Sequence, residues 1–114
     1  MPLLKIQTNR PVDTGKQSAL LAKASQLVAE KLGKPEQYVM VALESNNGML
    51  FAGSDAPLAY LELKSIGLPE SRTTELSQAL CGLMEQELGV SQDRVYVEFN
   101  NAPRNMWGWN GGTF

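Results

Sequence analysis

Few side chains in this sequence can do acid–base or nucleophilic chemistry, and the shortage narrows the possibilities. The 114 residues contain no histidine and one cysteine, Cys81. A Ser-His-Asp triad, a Cys-His pair, a Cys/His zinc site and an internal disulfide are therefore all excluded. The chain starts Met1-Pro2, and initiator methionine is commonly trimmed before small residues such as proline. Trimming would leave a secondary amine on a rigid ring, a candidate general base or nucleophile if its pKa is brought near ambient pH. A structural reading competes with this one. Proline has no backbone donor and suits the first residue of a strand, and MPLLKIQT sets Leu4, Ile6 and Thr8 against Leu3, Lys5 and Gln7 with strand alternation. Cys81 falls on an apolar helical stripe, which predicts a buried thiol rather than a reactive one.

A terminal amine does chemistry only if a folded body positions it. At 114 residues, with 43% hydrophobic and 19% charged content, the chain has the length and composition of one folded domain, residues 1–114. A formal charge of -2 and the lack of a Lys/Arg cluster argue against nucleic acid as a partner. No apolar run reaches the length of a membrane span and no secretory leader is evident, so the expected compartment is cytoplasmic.

The positioning elements repeat. Leu20, Ala24, Leu27, Val28 and Leu32 form one helical stripe; Leu76, Leu80, Leu83, Met84 and Leu88 form another, each 56 positions after its counterpart. Gly33 and Gly89 follow as expected left-handed caps. Asp13 or Thr14 is expected to cap the first helix, and Ser71 or Thr73 the second. Beyond each glycine, Val39 and Val41 match Val95 and Val97 in segments that read as strands. Leu3 to Thr8 and Ala59 to Lys64 supply the strands before the helices, with a looser match. The pattern predicts an α+β fold. Two β-α-β repeats, about 2–44 and 58–100, form a four-stranded mixed sheet with two helices on one face, and a tail follows at 101–114.

One helical layer leaves a sheet face uncovered. Tyr38, Met40, Tyr60, Leu61 and Tyr96 are read as strand residues, so an apolar outer patch and oligomerisation through it are expected. ESNNGMLFAGSDAP reads as a hairpin-like connection between the halves. The aromatic tail, with Met106, Trp107, Trp109 and Phe114, should pack on its own chain or on a neighbour.

GKPEQY at 33–38, SIG at 65–67, LCGLMEQELG around Cys81, DRVYV at 93–97, GWN at 108–110 and the final TF occur in order across the chain, after Pro2. Together they resemble the macrophage migration inhibitory factor branch of the tautomerase superfamily. The resemblance implies a homotrimer of doubled β-α-β subunits and a cofactor-independent keto–enol tautomerase in which Pro2 is the base. Typical substrates would be phenylpyruvate, hydroxyphenylpyruvate or dopachrome derivatives, that is, a small aromatic 2-oxo acid or its enol. Burial and a nearby cation both lower an amine pKa, which explains how such a site works without histidine.

The same resemblance assigns substrate binding to Lys34, which would hold the substrate carboxylate or the developing enolate oxygen. It also assigns Ile66 through its backbone, Tyr38 and Tyr96 as pocket aromatics with Tyr96 donated by the adjacent subunit, and Trp109 and Phe114 as the cavity border. Each has a plainer reading as a solvated lysine, a core residue or an interface residue. Glu98 and Trp107 depart from the mammalian pattern, and are expected to bring negative charge to the site and to narrow it. The mammalian Cys-x-x-Cys is replaced by Leu58 and Leu61, so its thiol chemistry is not implied. Two further readings stay open: a cytokine-like ligand engaging a receptor partner, with a vestigial pocket, and a ferredoxin-like regulatory module.

Overall fold

The computed structural model describes residues 1–114. β1 (Leu3–Thr8) is followed by α1 (Thr14–Leu32), a 3-10 turn (Glu36–Tyr38) and β2 (Met40–Glu44). β3 (Ala59–Ile66) is followed by a 3-10 turn (Glu70–Arg72), α2 (Thr73–Leu88), a third 3-10 turn (Gln92–Arg94) and β4 (Val95–Ala102). After a last 3-10 turn (Arg104–Met106), β5 (Gly108–Trp109) and β6 (Gly112–Thr113) pair as a small hairpin. Each long helix is a crossover, so the strands it joins run parallel: β1 with β2 and β3 with β4. The two halves meet through β1 and β3, which are antiparallel, giving the order β2-β1-β3-β4.

Local chemistry explains the helix ends. Asp13 is the cap of α1, its Oδ1 accepting from the Lys16 N–H at 2.9 Å. Gly33 (φ 63) and Gly89 (φ 66) close the two helices in the left-handed region, where a Cβ would be strained. The start of α2 departs from expectation, since neither Ser71 nor Thr73 caps it. The 3-10 turn at Glu70–Arg72 winds directly into the helix, and the Thr73 hydroxyl donates backward to the Glu70 carbonyl at 3.1 Å.

Both apolar stripes pack on one sheet face. Leu20, Ala24 and Val28 of α1 and Leu76, Leu80 and Met84 of α2 are buried with Leu4, Ile6, Leu61 and Leu63 in a single core. Cys81 joins them as a buried free thiol. At about 1.5–3 kcal/mol for each fully buried leucine, a one-residue slip of β1 or β3 would forfeit several such side chains at once, which pins the register.

The expected apolar outer patch is present only in part: Met40 and Tyr96 are exposed on this face. Leu61 points into the core and Tyr38 lies on a 3-10 turn rather than a strand. The face instead carries Gln7, which donates to Glu44, and Tyr60, whose hydroxyl donates to Glu98 at 2.8 Å and to Glu62 at 3.1 Å. The Glu98 bond, then burial, then Glu62 hold the Tyr60 phenol well above its usual pKa, so it stays protonated and donating. Polar residues linked across strands explain how this face persists without a helical cover.

The connection between halves does turn like a hairpin. Phe51 and Ser54 exchange backbone hydrogen bonds at 3.0 Å around Ala52 (φ 54) and Gly53 (φ 73). A left-handed alanine costs about 1–2 kcal/mol, and Arg94 offsets it. Its guanidinium donates to the carbonyls of Pro57, Phe51, Ser54 and Ala56 at 3.0–3.1 Å and stands over the Phe51 ring at 5.2 Å.

Candidate active site

Pro2 continues β1 by one residue: its carbonyl accepts from the Met40 N–H at 3.0 Å, and its ring is fully buried. A proline is tolerated there because the first strand residue needs no donor. Lys34 arrives at the same end of the sheet through the glycine cap of α1, its N–H donating to the Ala29 carbonyl at 3.0 Å. The next turn delivers Tyr38. Ile66 is the last residue of β3, and the Asn101 Oδ1 holds the chain just after it by accepting from the Gly67 and Leu68 N–H groups at 3.0 and 3.1 Å.

The tail folds back over this end. Trp109 and Phe114 stack with centroids 5.4 Å apart, and both meet the Tyr38 ring edge-on, at 5.8 and 6.3 Å. The tail therefore packs on its own chain, although Trp109 stays 55% exposed.

Two adjoining cavities result. The first, about 220 Å³, is lined by Met1, Lys34, Pro35, Tyr38, Ile66, Arg104 and Phe114. The second, about 410 Å³, is mostly apolar and includes Pro2, Met40, Trp107 and Trp109 together with Met1, Tyr38 and Phe114. Met1, Tyr38 and Phe114 belong to both, so the chain terminus stands at their junction. The amine there, carried by Met1, has a pKa lowered by burial first and by the Lys34 charge second. No carboxylate lies within 4.0 Å of the Lys34 or Arg104 side chain. A larger open cleft of about 450 Å³ lies over Cys81, between Thr73, Ser77, Gln92 and Phe99, and offers neither a base nor a cation.

Of the residues singled out from the sequence, the fold brings Pro2, Lys34, Tyr38, Ile66, Trp109 and Phe114 to one place. Tyr96 is elsewhere. It is level with Tyr60 and Gln7, roughly 16 Å along the strand direction from Pro2. There it packs on Phe51 with centroids 4.7 Å apart and is 65% exposed. Glu98 lies on the same outer face and is engaged by Tyr60 rather than by the cavities, while Trp107 does line the larger cavity. Arg104 was not identifiable from the sequence. It belongs to no local motif, and only the reversal of the tail carries it to Lys34.

Comparison with known proteins identifies the family to which this fold belongs. The family model described as macrophage migration inhibitory factor matches residues 1–114. A macrophage migration inhibitory factor homologue of Brugia malayi is 38% identical over 115 aligned positions, covering 100% of this chain and 99% of the relative. Among solved structures, the homologue from Prochlorococcus marinus superposes with a TM-score of 0.93 at 47% identity, covering 98% of each chain. The protein from Toxoplasma gondii superposes with a TM-score of 0.91 at 35% identity, covering 98% of this chain and 99% of that one. With the whole chain matched by the family model, by sequence relatives and by folds of the same topology, it belongs to the macrophage migration inhibitory factor family.

Proposed function

We propose that the chain is a cofactor-independent keto–enol tautomerase acting on a small aromatic 2-oxo acid or its enol, with the Pro2 secondary amine as general base once Met1 is removed. The observation that carries this reading is the placement of Pro2 in the wall of an aromatic cavity that adjoins a cationic one holding Lys34; the amine that Met1 carries between them is already lowered in pKa by burial and by the Lys34 charge. With Met1 gone, the amine moves one residue inward, onto a ring that is itself buried. Burial and the Lys34 charge both disfavour an ammonium there, which favours a neutral amine able to accept a proton. The amine nitrogen takes a proton from the carbon next to the substrate carbonyl, the C–H electron pair becomes the enolate, and the same proton is returned to the oxygen. A cation at that oxygen stabilises charge as it develops.

The reading includes a homotrimer. Sheet edges β2 and β4 are both unpaired within the chain, and Met40, Leu50 and Tyr96 are large exposed apolar side chains near them. In the trimer Tyr96 serves the neighbour's pocket, which accounts for its distance from Pro2 in its own subunit.

The test is phenylpyruvate ketonisation by protein whose loss of Met1 is verified by intact mass. Pro2→Gly should lower turnover by about 10²-fold or more, the usual contribution of a positioned base. Equal turnover in the two proteins would exclude Pro2 as the base.

A further inference from the structure

Lys34 has two possible jobs, and one lysine cannot serve both with equal geometry: holding the carboxylate of a 2-oxo acid, or meeting the oxygen on which negative charge grows. The structure holds a second cation. Arg104, on the 3-10 turn after β4, lines the same cavity of about 220 Å³ as Lys34, and its guanidinium has no hydrogen-bond or ion-pair partner within the chain. The aromatic cavity next door, with Trp107, Trp109 and Met40, has no charged side chain in its lining.

We infer that Arg104 is the carboxylate-binding residue of this site, and that Lys34 is thereby left to stabilise the enolate oxygen. The inference rests on the tautomerase reading and deepens it. An aryl pyruvate is a ring, a reactive CH₂ and a 2-oxo carboxylate in series. With the ring in the apolar cavity and the oxo-acid head in the cationic one, the CH₂ lies at the junction that Met1 fills and that its removal opens, next to Pro2 in the wall of the apolar cavity. Arginine presents a planar fork that matches a carboxylate with two parallel hydrogen bonds, whereas a lysine ammonium acts as a point charge suited to a single oxygen. The carboxylate is present in the ground state and throughout the reaction, so Arg104 contributes uniform binding. The enolate oxygen becomes charged only as the proton leaves, so Lys34 contributes to the rate. The site is therefore specific for free 2-oxo acids and discriminates against their esters.

The experiment compares phenylpyruvate with its methyl ester, using Met1-free protein and the variants Arg104→Gln, Arg104→Lys and Lys34→Gln, each verified to unfold at the same denaturant midpoint as the parent. Arg104→Gln should lower the acid-to-ester ratio of kcat/KM about tenfold, chiefly through KM for the acid, and Arg104→Lys should recover part of it. Lys34→Gln should lower kcat on both compounds and leave the ratio nearly intact. An unchanged ratio in Arg104→Gln, or a ratio that collapses in Lys34→Gln instead, overturns the assignment. If the parent protein turns over neither compound, the tautomerase reading has failed, and calorimetric titration with the same two compounds decides the binding role alone. Preferential binding of the acid that disappears in Arg104→Gln upholds it, and equal binding of acid and ester, or a preference that survives the substitution, refutes it.

Discussion

The two halves of the molecule are built alike and do different things. α1 and α2 end on the same left-handed glycine, continue into the same kind of 3-10 turn and enter parallel edge strands, with Gly33 matched by Gly89 and the turn at Glu36–Tyr38 by that at Gln92–Arg94. In the first half the residue after the glycine is Lys34, half-buried beside a cavity; in the second it is Val90, fully buried in the core. Tyr38 of the first turn supports the aromatic tail, while its counterpart Arg94 clamps the connection between the halves. Pro2 has Ala59 as its counterpart, in mid-chain and without a free amine, because Leu3 opposite Met40 corresponds to Tyr60 opposite Tyr96. Equivalent scaffold positions thus border a cavity in the first half, with Pro2 and Lys34, and are core in the second, with Ala59 and Val90. The duplicated fold supplies the geometry, and a few residues decide which copy presents a cation at a cavity.

The sharpest way to break this comparison is to exchange the two residues after the glycines. Val90→Lys places an unpaired ammonium at a fully buried position, which should destabilise the protein by at least about 3 kcal/mol. Lys34→Val removes a half-exposed lysine that has no ion-pair partner and should change stability by less than about 1 kcal/mol. Urea unfolding at one fixed protein concentration measures both, since oligomer stability depends on concentration. Similar losses in the two variants would mean that the first cap region is as much a part of the core as the second.

A smaller effect belongs to the clamp. Arg94→Ala removes four charge-assisted hydrogen bonds to backbone carbonyls and the cation's contact with the Phe51 ring. Water replaces part of what is lost, so the expected cost is about 2 kcal/mol. Because Ala52 stays left-handed only while its neighbours hold it, the loss should be localised. Amide exchange should accelerate at residues 51–57 before it does in the core strands. Uniform acceleration across the sheet would show that Arg94 supports the whole half rather than one turn.

These two regions also show what the sequence made legible. The helical stripes and β2/β4 could be aligned because buried leucines, methionine and valines recur at fixed spacing, and that recurrence is a packing requirement. The match of β1 to β3 was looser for a physical reason: their common face is displaced by one residue relative to the spacing of the helices, so Leu4 and Leu61 are buried while the residue at the helical spacing, Tyr60, points outward. The polar links among Gln7, Glu44, Tyr60, Glu62 and Glu98 on the outer face were not anticipated, since alternation does not tell which side chains of neighbouring strands will meet. Lys34 and Tyr38 were found through the GKPEQY motif. Arg104 carried no signal, because its position depends on a tail that turns back over the sheet end, and tertiary reversal leaves no period in a sequence.

The last prediction separates the two causes that lower the amine pKa. At the amine that Met1 carries, burial and Lys34 both disfavour the ammonium, burial more strongly, and the same two causes are expected to act on the Pro2 amine one residue inward. In Met1-free protein the base is active only when neutral, so kcat/KM should fall as pH drops through the amine pKa, with that limb lying below the ordinary range of a terminal amine. Lys34→Gln removes the repelling charge and leaves the burial in place. Protonation then becomes easier, the amine pKa rises, and the acid limb moves to higher pH without returning to the value of a solvated amine. The sign is fixed by charge alone: losing a neighbouring cation can only stabilise another cation. A limb that stays in place would assign the whole depression to burial, and the cation after Gly33 would then act on the substrate rather than on the base. A limb that moves to lower pH is incompatible with Lys34 being positively charged beside Pro2, and would remove the electrostatic difference between the two halves.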